Sequence, residues 1–180
     1  MRPWGVVLED AERMQWGFTP FVEVGPLRFG MRHDEVLAAL DVDHATAMLP
    51  GSWAEFHLPT SYGPALRTYY AGADRLLHGI AVDALHGPQV TMEGLRLVGQ
   101  VPSELADLFV DHVVSKGLRD DVHFSQEGDP GADELGIVLR AQRAEDILLT
   151  RPVFVAREWA DRVYDTSEGP IPDEEWRIHA

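Results

Sequence analysis

The sequence predicts an α+β protein made of two tandem repeats, each a helix packed on an antiparallel sheet. Three observations point there. The chain matches itself at an offset of 69 residues. Gly25-Pro26-Leu27-Arg28-Phe29-Gly30 is echoed by Gly94-Leu95-Arg96-Leu97-Val98-Gly99, Asp34-Glu35-Val36 by Ser103-Glu104-Leu105, and Leu40 by Phe109. Each of these stretches leads into helical spacing and then into short alternating or β-branched runs. The third observation is size: 180 residues, 45% of them hydrophobic, can bury a real core in one compact domain. The period sets repeats at about residues 21–90 and 91–156, inside a single domain over 1–160, with an acidic C-terminal tail over 161–180.

Each element has its own reason. Residues 1–20 carry Trp4, Trp16 and Phe18 and predict a strand or irregular arm lying on the core. Phe21 to Val24 reads as a short strand, and Gly25-Pro26 turns the chain. A helix follows over His33–Leu40, with Val36, Leu37 and Leu40 as its apolar face. Arg32 stands where a Ser or Thr cap is usual, so Asp34 or another group must cap the helix. Strands are expected at Trp53–Leu58, Leu66–Tyr70 and Leu76–Val82, the last two as a hairpin around Ala71 to Asp74.

In the second unit, Met92 to Val98 alternates, and Pro102 and Ser103 are helix start signals, with Ser103 as cap. The helix is expected over about Glu104–Lys116, stopped at Lys116-Gly117, with Leu105, Leu108, Phe109, Val113 and Leu118 as its buried stripe. Val122–Phe124 reads as a strand and Gly128–Gly131 as a loop. Leu135–Leu139 and Ile147–Val155 form the second hairpin, with Pro152 favouring an edge or bulge. The ungapped offset carries Leu66 onto Leu135, Tyr69-Tyr70 onto Val138-Leu139 and Ile80 onto Leu149. From Asp165 onward Gly169, Pro170 and Pro172 break any period, which predicts an extended tail. Trp176 is expected to dock on the core or on a partner.

The opening Gly25-x-x-x-x-Gly30-Met31-x-x-x-Glu35-Val36 resembles the glycine-then-helix opening of small two-layer α+β modules. These include the SmpA-type outer-membrane assembly lipoproteins, the tandem-repeat β-lactamase-inhibitory proteins and immunity-like actinobacterial proteins. The resemblance implies protein binding through a concave sheet and transfers no catalytic residue. The chain departs from those families in having no cysteine, hence neither a lipidated cysteine nor the inhibitors' disulfides.

Composition and motifs then bound function. The absence of cysteine also excludes thiolate zinc and cysteine nucleophiles. No signal-peptide pattern is visible, which predicts a cytoplasmic protein. Thirty acids against fifteen bases give a net charge of −15. That field disfavours nucleic acid and anionic membrane and favours a basic protein partner. Lys116 is the only lysine, so no basic cluster exists. No serine sits in a Gly-x-Ser-x-Gly elbow, no phosphate loop has its spacing, and no His-Glu-x-x-His helix is present. No catalytic residue, metal set or cofactor is therefore expected.

The function expected is a non-catalytic acidic binding module of the immunity or antitoxin type, occluding a basic partner. Its candidate contacts are Glu104, Asp107 and Asp111, which share a helix face at i, i+3, i+7. Trp53, Tyr69 and Tyr70 are expected on a sheet, the two tyrosines on opposite faces. Asp173, Glu174, Glu175 and Trp176 are expected in the tail. The alternative is a small-ligand or metal-dependent enzyme with a site between the repeats, using His57, His78 and Asp83.

Overall fold

Strands buried on both faces form the centre of this molecule, as in β6 and β13. A computed structural model of the chain describes residues 7–59 and 61–178; Trp4 lies outside them. The strands in chain order are β1 (Gln15–Thr19), β2 (Glu23–Val24), β3 (Leu27–Arg28), β4 (Ala47–Leu49), β5 (Trp53–Phe56), β6 (Leu66–Ala71) and β7 (Leu76–Val82). They continue as β8 (Gln89–Met92), β9 (Leu95–Arg96), β10 (Val122–Phe124), β11 (Pro130–Ala132), β12 (Ile137–Ala144) and β13 (Ile147–Val155). The helices are α1 (His33–Leu40), α2 (Pro102–Ser115) and α3 (Asp173–Ile178).

The molecule is α+β with two sheets. One has five strands in the order β3-β2-β1-β8-β9. The other has eight, in the order β10-β11-β12-β13-β7-β6-β5-β4. Its middle is the antiparallel pair β7 and β13, where Ile80 faces Phe154. In the small sheet, β1 runs parallel to β8 and antiparallel to β2, so residues 15–19 join two hairpins distant in sequence.

One core joins the two layers. Val36 and Leu40 of α1, Leu105, Phe109 and Val113 of α2, and Trp16, Val24, Leu27 and Val90 of the small sheet meet Phe56, Leu66, Tyr70, Ile80 and Phe154 of the large one. Full burial of side chains of this size contributes about 1.5–3 kcal/mol each. A second cluster lies on the opposite face of the large sheet, with Tyr69, Ala81, Val138, Val153 and Val155 under Val163, Ile171 and Trp176. Among the described residues, no helix is long and apolar enough to cross a membrane.

Several expectations need correction. Val101 precedes the first turn of α2 and Pro102 opens it, so Ser103 is inside the helix and does not cap it. In α1 that other capping group is Glu35, whose carboxylate accepts the Arg32 backbone N–H at 3.1 Å. Pro130 and Gly131, read as loop, belong with Ala132 to β11, which pairs with Val138 and Ile137. Strand β13 is central; its ladder to β7 begins at Val153, one residue past Pro152. Leu149 packs with Ala84 and Ala144, apart from the cluster that holds Ile80. Beyond Val155 the chain forms a 3-10 turn over Arg157–Arg162 and then α3, and lies on the sheet with Ile171 and Trp176 buried. The expected extended tail is packed structure, because its apolar residues cover the second face.

Candidate functional site

Three places concentrate chemistry, and α2 is the first. It buries Leu105, Phe109 and Val113. Leu108, expected in that stripe, is 56% exposed. It belongs to the outward stripe Val101, Glu104, Leu108, Asp111, where residues three and four apart stack along one face. Val101 is also exposed, at 47%, and Glu104, Asp107 and Asp111 are all exposed. Beside this stripe lies a cleft of about 310 Å³ lined by Leu95, Arg96, Gln100, Glu104, Leu105 and Leu108. Apolar side chains set between carboxylates at the lip of a cleft can hold a partner by burial and select it by charge.

The second place is the face of the large sheet under the C-terminal segment. Strand alternation turns Arg67 and Tyr69 of β6 away from the main core. Arg140 and Arg151 pair across β12 and β13. Arg151 is buried and donates from Nε to Glu175 Oε1 at 2.6 Å and from Nη2 to Oε2 at 3.2 Å. Tyr69 donates its hydroxyl to Glu175 Oε2 at 2.6 Å. Burial, and then the Glu175 charge, hold that phenol far above its ordinary range. Asp83 Oδ2 sits 3.5 Å from Arg151 and accepts from Gln142 at 3.0 Å. Arg140 pairs with Asp129 at 2.5 Å and lies over the Trp176 ring. Arg67 pairs with Glu55 at 2.9 Å and lies over Trp53. Buried charges persist only when paired in this manner.

These contacts decide most of the sequence candidates. Tyr69, Tyr70, Glu175 and Trp176 are buried at 0%, 6%, 1% and 7% exposure, which removes them from the surface open to a partner. Tyr70 lies on the main-core side, with its hydroxyl 2.8 Å from His33 Nδ1, and burial pushes it up to about 12. Trp53 is half-buried. Asp173 and Glu174 are exposed at the start of α3, and Asp173 pairs with Arg177 at 3.0 Å. The alternative trio does not converge. His57 is exposed, His78 bonds the Leu76 carbonyl beside Trp159, and Asp83 is bound to Gln142 and Arg151.

The third place escaped the sequence reading. Asp121, His123 and Asp133 each offer a ligand atom, all within 4.8 Å of one another. His123 Nε2 is 3.6 Å from Asp133 Oδ2. Burial and then nearby acids act against His123 to push the Asp133 carboxyl up to about 6. The Asp121 carboxyl is also raised, first by burial. Only the strand pair β10–β11 and the 3-10 turn after it bring residues 121 and 133 together, and Gly128–Gly131 had been read as loop. The local signal was Asp121-x-His123, which alone is too common to select.

Neither protein-family models, nor curated proteins, nor solved structures match this chain.

Proposed function

We propose that the protein is a non-catalytic, cytoplasmic binding module that occludes a basic protein partner, in the manner of an immunity protein or antitoxin. The observation that carries this reading is Leu108, exposed at 56% on a helix whose other leucine, Leu105, is buried. A helix needs no outward leucine for its own packing. Flanked by Glu104, Asp107 and Asp111, it has the character of an interface anchor inside a charged rim. The net charge of −15 supplies attraction over distance and rapid encounter with a basic surface. Asp173 and Glu174 add exposed acids on a separate element.

The repeat is part of the same proposal. Each of α1 and α2 is followed by four strands of the large sheet, and the last strands of the two sets meet at its centre. Each is preceded by a hairpin whose second strand is Leu-Arg, at Leu27-Arg28 and Leu95-Arg96. The spacing is 68 residues in the hairpins and 69 at the first residues of the helices, His33 and Pro102. Tyr69 and Val138 share the second cluster, and Tyr70 and Leu139 the first. Beyond them β12 runs to Ala144 with a tighter turn, so Ile80 answers to Phe154 and not to Leu149. Two such units side by side support the resemblance to tandem inhibitory modules.

The test is affinity capture from native cell extract, followed by elution in a salt gradient. One basic protein should be retained at equal stoichiometry and released as salt rises. Glu104→Arg with Asp111→Arg should weaken the complex at least tenfold, Leu108→Ser similarly, and Asp74→Arg hardly at all. No heteromeric complex at physiological salt would end this reading.

A further inference from the structure

We propose that Asp121, His123 and Asp133 form a binding site for a first-row divalent cation, with zinc as the natural probe. The donor set is one imidazole and two carboxylates, the mixture that borderline cations of this row prefer. One ligand atom from each lies within 4.8 Å of the others, and His123 Nε2 is 3.6 Å from Asp133 Oδ2. Zinc bonds of about 2.0–2.2 Å in tetrahedral geometry set ligand atoms roughly 3.4 Å apart. Closure by up to about 1.4 Å lies within the range of small side-chain rotations.

A second observation points to a ligand. Asp133 Oδ1 is buried and has no hydrogen-bond partner among the described residues. Buried carboxylate oxygens are ordinarily satisfied, so an atom without a donor asks for a cation or a proton. The surroundings hold the set in place. The His123 ring stacks on Tyr164 at 4.5 Å and 16°. The Glu134 backbone N–H donates to Asp121 Oδ2 at 2.7 Å and orients that carboxylate. Such outer contacts fix ligand geometry as strongly as the ligands themselves.

The site ties β10, the edge strand of the large sheet, to the 3-10 turn that precedes β12. Tyr164 connects it to the C-terminal segment. A bound cation therefore pins one end of the sheet and the cover over its second face. Three protein ligands leave a coordination position open to water or to a side chain from outside.

Calorimetric titration of zinc into the full-length protein tests this. One zinc per chain should bind saturably, and His123→Gln and Asp133→Asn should each weaken it at least tenfold. His57→Gln, an exposed histidine elsewhere, should leave the affinity unchanged. No saturable site, or full affinity in both site variants, overturns the proposal. Anomalous scattering from zinc-soaked crystals needs no variant: an ion between the three side chains supports the site, and an ion only elsewhere overturns it.

Discussion

The two faces of the eight-stranded sheet are covered in opposite ways. One meets α1, α2 and the small sheet through Phe56, Leu66, Ile80, Leu139 and Phe154, an apolar contact interrupted by the Tyr70 hydroxyl and His33. The other carries Arg67, Arg140, Arg151 and Asp83 between its valines, and its cover inserts a carboxylate, Glu175, instead of a leucine. Apolar burial stabilises in proportion to area and tolerates repacking. A buried ion pair stabilises little by itself, yet removing one partner is costly. One face therefore holds the layers together, and the other fixes where residues 163–176 lie.

The strongest way to break this comparison is at Glu175. Glu175→Ala should cost about 3 kcal/mol, at the low end for a severed buried pair, because Asp83 remains beside Arg151. The combination Tyr69→Phe, Arg151→Met and Glu175→Leu should recover part of that loss, since it removes the pair together and leaves Asp83 accepting from Gln142 and from the backbone N–H groups of Leu85 and His86. Urea unfolding midpoints measure both. If the triple variant is as unstable as the single one, the charged face contributes net stability and the contrast between the faces fails.

The apolar face is sharpened by its own cover. Leu105 and Leu108 lie on one helix, 2% and 56% exposed. Leu105→Ala should cost about 2–5 kcal/mol by opening a cavity in the core. Leu108→Ala should change stability by less than about 0.5 kcal/mol while weakening the proposed complex. Equal losses in stability would mean that Leu108 serves the fold and not a partner.

How much of this was legible in the sequence follows the same division. Helix α1 and strands β7, β10 and β13 lie where the sequence predicts them, from apolar spacing in the helix and apolar runs near turn residues in the strands. The short edge strand β4 was invisible, since its three residues are all exposed. The charged face was unreadable because Arg67, Arg140 and Arg151 resemble solvent positions until their partners are placed. Arg67 and Arg140 find theirs on neighbouring segments, at Glu55 and Asp129, whereas Glu175 reaches Arg151 only after the chain has turned back over the sheet. Glu104, Asp107 and Asp111 were legible as a ridge, since helical spacing alone defines it. Leu108 was misassigned because its position borders both faces of the helix.

The smallest effect concerns the margin of the charged face, at Asp133. Its carboxyl is raised from an ordinary value of 3.8 to about 6, first by burial. An acid with a raised folded pKa binds its proton more tightly in the native state than in the unfolded one. Its contribution to stability is therefore largest below about pH 4, falls as pH rises toward 6, and is level above that. Asp133→Asn does not titrate and lacks this slope. With chelator present, the wild-type midpoint minus the Asp133→Asn midpoint should decline between about pH 4 and 6 and then flatten. A constant difference across that window would place Asp133 in ordinary solvent. The margin would then behave as surface, and the charged face would end at Asp129 and Arg140.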